Sequence, residues 1–273
     1  MTPSAGLGAA RHGAAILQDL RRLMPVTAGS KTLPYPFGIA ALDSHLPEGG
    51  LARGALHEIV PETQGALAAA LGFGAAILAG LFSPAVSAKG KARNRLSNPF
   101  VWVMPAFWLR RHGRLSGHGL RALGLDPSRQ ILVETARHRD TLWAMEEALR
   151  SAAPAAVAGF IERLDLKSSQ RLHLAALDAG LPLLLLRPAP NLESSAAATR
   201  WRVGAAEAAR DRFGLVARPR WHLHLERCRN GRPGEWVLEY DHVAHRFSLA
   251  AALADPSLSR RAGEKSAAQA HRA

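Results

Sequence analysis

Two apolar patterns alternate through the body of this chain and predict its layout. Gly49–Gly65 reads as a turn, a buried strand and a tight loop, followed by a small-residue helix from Ala66 to about Leu81. Further uninterrupted apolar runs, Phe100–Met104, Ala155–Ile161 and Leu183–Leu186, read as buried strands, the last stopped by Pro188, and Ile131–Val133 as another strand. Helix-period stretches separate them. A short helix within Gly119–Pro127 ends in a turn. Asp140 is expected to cap a helix over Thr141–Ser151 with Leu142, Met145 and Leu149 on its apolar side. Ser168 or Ser169 is expected to open Gln170–Ala179, which Gly180 closes. Short apolar strands alternating with helices predict a mostly parallel sheet covered on both faces.

After about Trp201 the period becomes two. Trp201–Val203, Arg220–Glu226, Glu235–Tyr240 and His245–Leu249 alternate apolar with polar and are joined by Gly/Pro or Asp turns, which predicts an antiparallel meander extending the sheet. The ends differ from the body. Residues 1–36 hold an amphipathic helix, with Ile16, Leu20, Leu23 and Met24 on one face, and a Pro/Gly linker; it either docks on its own domain or packs onto another molecule. Residues 37–254 form the main domain, and the polar basic tail 255–273 is expected to be disordered.

The 273 residues suffice for one generous core, and 48% are apolar, as in a globular protein. No run resembles a membrane span or a secretory signal, and the single cysteine, Cys228, excludes an internal disulfide; a cytoplasmic protein is expected. The formal net charge of +13 attracts polyanions, nucleic acid foremost, although an Arg-rich composition also follows from high genomic GC content.

The tight loop after the first strand stands where a nucleotide-hydrolysing enzyme carries Gly-x-x-x-x-Gly-Lys-Ser/Thr. On that template the first Gly is Val60, the second is retained as Gly65, the Lys is Ala66 and the hydroxyl is Leu67, while Glu62 adds a negative charge where phosphate would sit. The strand at Val101–Met104 is followed by Pro105-Ala106-Phe107 with no acid to activate water. The strand ending at Gly159-Phe160 lacks a metal-holding Asp, with only Glu162 nearby. No ATPase activity, cofactor or metal is expected from this set.

Phe37–Leu51 carries a Gly-x-x-x-Leu-Asp turn ahead of Gly49-Gly50-Leu51. Together with the loop, the parallel strands and the hairpins, it resembles the RecA core. Trp143–Arg150, Arg163–Leu166, Ser195–Val203 and Arg229–Trp236 are similar more narrowly to the ImuA family, from about Phe37 to Leu249. The resemblance implies a RecA-like core with a mostly parallel sheet flanked by helices and extended by C-terminal antiparallel strands. It further implies a non-catalytic adaptor in SOS-induced, error-prone translesion synthesis, recruited to the nucleoid during DNA damage. Its implied partners are ImuB, an inactive Y-family polymerase relative, and a DnaE-type polymerase, with RecA as a further candidate. The alternative is a cell-division inhibitor resembling SulA, a shorter protein without this antiparallel extension.

Candidate contacts to DNA or a partner are the basic loop with Lys89, Lys91, Arg93 and Arg95; Arg200 and Arg202, after the small hydroxylated run Ser194–Thr199; and Arg227, Arg229 and Arg232 around a Gly/Pro turn. Each has a plain alternative in a solvated loop or a charged hairpin edge. Trp201 reads as core, His222 and His224 as a surface pair, and Cys228 as a quiet thiol.

Overall fold

The computed structural model describes residues 33–81, 98–188, 194–210 and 212–250. The amphipathic segment within residues 1–32, the loop bearing Lys89, Lys91, Arg93 and Arg95, and the tail 255–273 lie outside the described residues. A turn-forming helix α1 (Ala40–Asp43) leads to β1 (Leu56–Pro61) and α2 (Leu67–Leu81). There follow β2 (Phe100–Pro105), α3 (Ala106–His112), α4 (Gly117–Ala122), β3 (Gln130–Thr135) and α5 (His138–Arg150). Then come β4 (Ala156–Phe160), α6 (Leu166–Ala179), β5 (Leu183–Leu186), β6 (Thr199–Arg210), β7 (Val216–Cys228), β8 (Gly234–Asp241) and β9 (Arg246–Leu249).

Among the described residues, the nine strands form one sheet in the order β3-β2-β4-β5-β1-β6-β7-β8-β9. The first six are parallel, and β6 to β9 make the antiparallel meander. The apolar runs are continuous because β1, β2, β4 and β5 are buried on both faces. Leu184 and Leu186 face α2 and α3, whereas Leu183 and Leu185 face α5 and α6, as a period of two requires. Helix α2, rich in Ala and Gly, packs Phe73 against Trp201, Trp221 and Phe247 of the meander. Trp201 is fully buried and is core.

Several boundaries differ from the sequence expectation. Helix α5 starts at His138, so Asp140 lies in its first turn and is not its cap; Arg137 holds the N-cap position without a capping side chain. Helix α6 starts at Leu166, because the Asp165 carboxylate accepts from the Ser168 backbone N–H at 2.8 Å and outcompetes the two serines as cap. Gly180 closes α6 in the left-handed region, φ 62°, as expected. Helix α3 occupies a segment for which the apolar pattern gave no element. The stretch Gln64–Leu81 is long and apolar enough to cross a membrane, contrary to the expectation, but most of it is buried inside the protein.

The Gly-x-x-x-Leu-Asp turn has a structural cause. The Asp43 carboxylate accepts from the backbone N–H groups of Phe37, Gly38 and Ile39 at 2.8–3.0 Å and holds the chain entering the domain. Gly159 in β4 is required by close approach: a Cβ there would stand 2.2 Å from the Val103 carbonyl oxygen and 2.4 Å from Met145 Cε. Gly159→Ala is therefore expected to destabilise the fold by about 1–3 kcal/mol through overpacking, read as a lower urea midpoint with an unchanged slope.

Candidate functional site

Strand β1 is central, and the loop leaving its carboxyl end is the position of interest. The strand runs on through Pro61, so Val60 pairs with Arg202 and Pro61 with Val203 in the ladder. Val60 is thus a buried strand residue and contributes nothing to a loop. Only Glu62 and Thr63 separate the strand from a 3₁₀ turn over Gln64–Ala66 that runs into α2. Two of its backbone amides are committed: Glu62 N–H donates to Val203 O at 2.8 Å and Ala66 N–H to Thr63 O at 3.0 Å. Ala66 is buried, and Leu67 packs against the core. Where a phosphate cradle offers an ammonium group and a hydroxyl, this turn presents two hydrocarbon side chains.

Glu62 turns toward the meander instead. Its carboxylate lies over Gly204, where a Cβ would stand 2.0 Å from Oε2, and reaches to 3.8 Å from His222 Nδ1. His222 Nε2–H donates to Glu235. The missing side chain at Gly204, the register partner of His222, lets this Glu–His–Glu row cross β6, β7 and β8. Among the described residues, no group of three or more His, Cys, Asp or Glu is placed to hold a metal.

Beneath the loop, β1 carries two polar residues in a fully buried stretch. Glu58 accepts from Arg187 Nη1 at 3.0 Å and from Arg200 Nε at 2.7 Å, and Arg200 Nη2 also reaches Ser195 Oγ at 3.3 Å. His57, on the opposite face of the strand, donates through Nε2–H to Ala52 O at 2.7 Å. Its Nδ1 accepts from the Thr199 hydroxyl at 2.8 Å, and that oxygen accepts from Trp201 Nε1–H at 2.9 Å. Burial of this neutral ring lowers its pKa to about 4. These partners tie β1 to β5 and β6.

The carboxyl ends of β2, β3 and β4 frame a cleft of about 300 Å³ lined by Phe107, Arg137, His138, Phe160, Glu162 and Arg163 among others. At the opposite, amino edge, the β7–β8 turn brings Arg227, Arg229 and Arg232 together. Arg227 donates to Ser195 O, Arg229 to Ala196 O at 3.3 Å, and Arg232 to Ser44 O at 3.3 Å. All three bonds end on neutral carbonyls, which latch the turn while leaving its positive charge in place.

No protein-family model matches the chain. It is, however, 33% identical to Protein ImuA of Caulobacter vibrioides over 250 residues, which cover 84% of this chain and 94% of that one. The same match holds for the proteins of strain NA1000 / CB15N and of strain ATCC 19089 / CIP 103742 / CB 15. The chain belongs to the ImuA family.

For this ImuA-family chain, the candidate contacts fall into distinct settings. Arg200 corrects the sequence reading: its place after the small hydroxylated run Ser194–Thr199 suited a phosphate contact, but Glu58 draws its guanidinium into the core, where it is 9% exposed. Arg202 is half-buried against Glu226 and is committed to that pair. Arg227, Arg229 and Arg232 do gather on one exposed edge, away from the loop after β1. His222 is paired as described and His224 is exposed. Burial raises the pKa of the Cys228 thiol, in keeping with low reactivity. Sequence reasoning missed Phe107, Arg137, His138 and Arg163 in the cleft. Their signal was positional, since each follows the carboxyl end of a parallel strand.

Proposed function

We propose that this chain is a non-catalytic adaptor on a RecA-like scaffold, acting in SOS-induced, error-prone translesion synthesis. It works with an ImuB-like protein and a DnaE-type polymerase, with RecA as a further candidate, in the cytoplasm and at the damaged nucleoid. The observation that carries the non-catalytic reading is the turn after β1, whose amides at Glu62 and Ala66 are committed within the fold. Ala66 and Leu67 supply neither charge nor metal seat for phosphoryl transfer. Family membership supports the mutagenesis role, and the exposed arginines of the β7–β8 turn supply a docking edge for a polymerase complex or DNA.

The expected result is no magnesium-dependent release of phosphate from ATP by the purified chain, and loss of damage-induced mutagenesis when its gene is deleted. Turnover that disappears in Glu62→Gln or Glu162→Gln overturns the non-catalytic part. Unchanged mutagenesis in the deletion strain overturns the role. A pull-down from damaged cells that lacks both polymerase-related partners overturns the adaptor assignment.

A further inference from the structure

We infer that the cleft at the carboxyl ends of β2, β3 and β4 binds a nucleotide unit, with its phosphate on Arg137 and Arg163 and its base on Phe107. Topology explains why a crevice opens there. The chain leaves β2 toward β3 on one side, and leaves β4 toward β5 on the other, so the two crossovers diverge between adjacent strands. Such divergence is where open α/β sheets hold ligands. The volume of about 300 Å³ is that of a small-molecule site.

The lining supplies the chemistry. Arg137, His138 and Arg163 are exposed and face the cleft, set against one acid, Glu162. Among the described residues neither guanidinium is held by an ion pair, so both forks are available to phosphate oxygens. Phe107 is 44% exposed, and its ring meets buried Phe160 edge-on at 6.1 Å. It is thus held from below with a face open for stacking. The local sequence also breaks two helix rules at this point. Arg137, His138 and Arg139 crowd the positive end of the α5 dipole, where acids and hydroxyls are favoured, and Asp140 offsets only Arg139, at 3.5 Å. An anion in the cleft relieves that repulsion.

Two guanidiniums less one carboxylate match a single phosphodiester better than a triphosphate, so a strand of single-stranded DNA is favoured over a free nucleotide. This inference needs only the cleft, and its failure leaves the adaptor reading standing. The test is fluorescence anisotropy of the full chain with a fluorescein-labelled oligothymidylate across a salt series. Arg137→Glu combined with Arg163→Glu is expected to weaken binding at least about tenfold and to flatten the salt slope by about 0.7, as the loss of one single-strand phosphate contact requires. Phe107→Ala is expected to weaken it about tenfold. Arg110→Glu with Arg111→Glu, exposed at the end of α3 and outside the cleft lining, serves as the control and is expected to lose far less.

Competition by dTMP and ATP separates the sources. Oligothymidylate retained against both assigns the cleft to a strand, whereas displacement by ATP at lower concentration than by dTMP assigns it to a triphosphate. Equal affinity and salt slope in the wild type and the cleft variants, or an equal loss in the control, overturns the site.

Discussion

Glu58→Gln is expected to cost about 3–5 kcal/mol of folding stability, because it leaves two core guanidiniums without the carboxylate that holds both. The substitution is nearly isosteric, so little of that loss comes from packing. Its origin is electrostatic: Arg187 is 1% exposed and Arg200 is 10% exposed along their side chains, where water cannot replace the lost charge. Urea unfolding followed by tryptophan fluorescence reads the effect directly. Arg187→Met placed in the Glu58→Gln background is expected to recover part of the loss, since it removes a buried charge and fills the space with hydrocarbon. A Glu58→Gln midpoint close to wild type shows instead that the cluster is solvated, and removes it as a clamp between β1, β5 and β6.

Acid is expected to weaken the fold before it protonates most carboxylates, and His57 is the first cause. Its pKa is about 4 in the folded chain against 6.5 in the unfolded one, so between those values the unfolded state binds the extra proton. Stability is therefore complete above about pH 6.5, falls as the pH drops toward 4, and loses about 3 kcal/mol from this group across that window. His173, also lowered to about 4 by burial and by Arg229, adds to the slope with the same sign, discounted because it is partly solvated. Unfolding free energies measured from pH 7.5 to 4.5 are expected to show this slope, and His57→Gln to lower the plateau while flattening the slope to the residue left by His173. A wild-type profile flat down to pH 5 contradicts the burial of a neutral ring at this position.

How legible this was in the sequence depended on the physics each residue obeys. Strands such as Leu183–Leu186 were readable because burial on both faces demands an unbroken apolar run. The meander was readable because each strand alternates and each turn carries its Gly, Pro or Asp. Helix starts were less so: Asp165 and Ser168 are both good caps, and only the three-dimensional hydrogen bond decides between them. The loop after β1 was located correctly but given a strand residue, Val60, because a spacing template counts positions and cannot see how far a ladder continues. Arg200 was misplaced for a different reason. Its place after the hydroxylated run Ser194–Thr199 suited a phosphate contact, but residue types alone do not say whether the guanidinium reaches water. The readable warning was Glu58 itself, a charge inside a buried run, which demands an opposite charge from a neighbouring strand. The cleft escaped because its residues are far apart in sequence and meet only through the crossing connections of β2 and β4.

The Arg-rich turn and the Phe107 cleft sit at opposite termini of the same sheet, roughly 20 Å apart along the strands and, with four strand spacings from β4 to β7, roughly as far across them. Whatever seats itself at one terminus leaves the other unobstructed. If both proposed contacts form, one copy of the chain acts as a fixed-length spacer between the two bodies it holds. The separation is set by backbone rise and strand spacing and does not depend on any flexible tether.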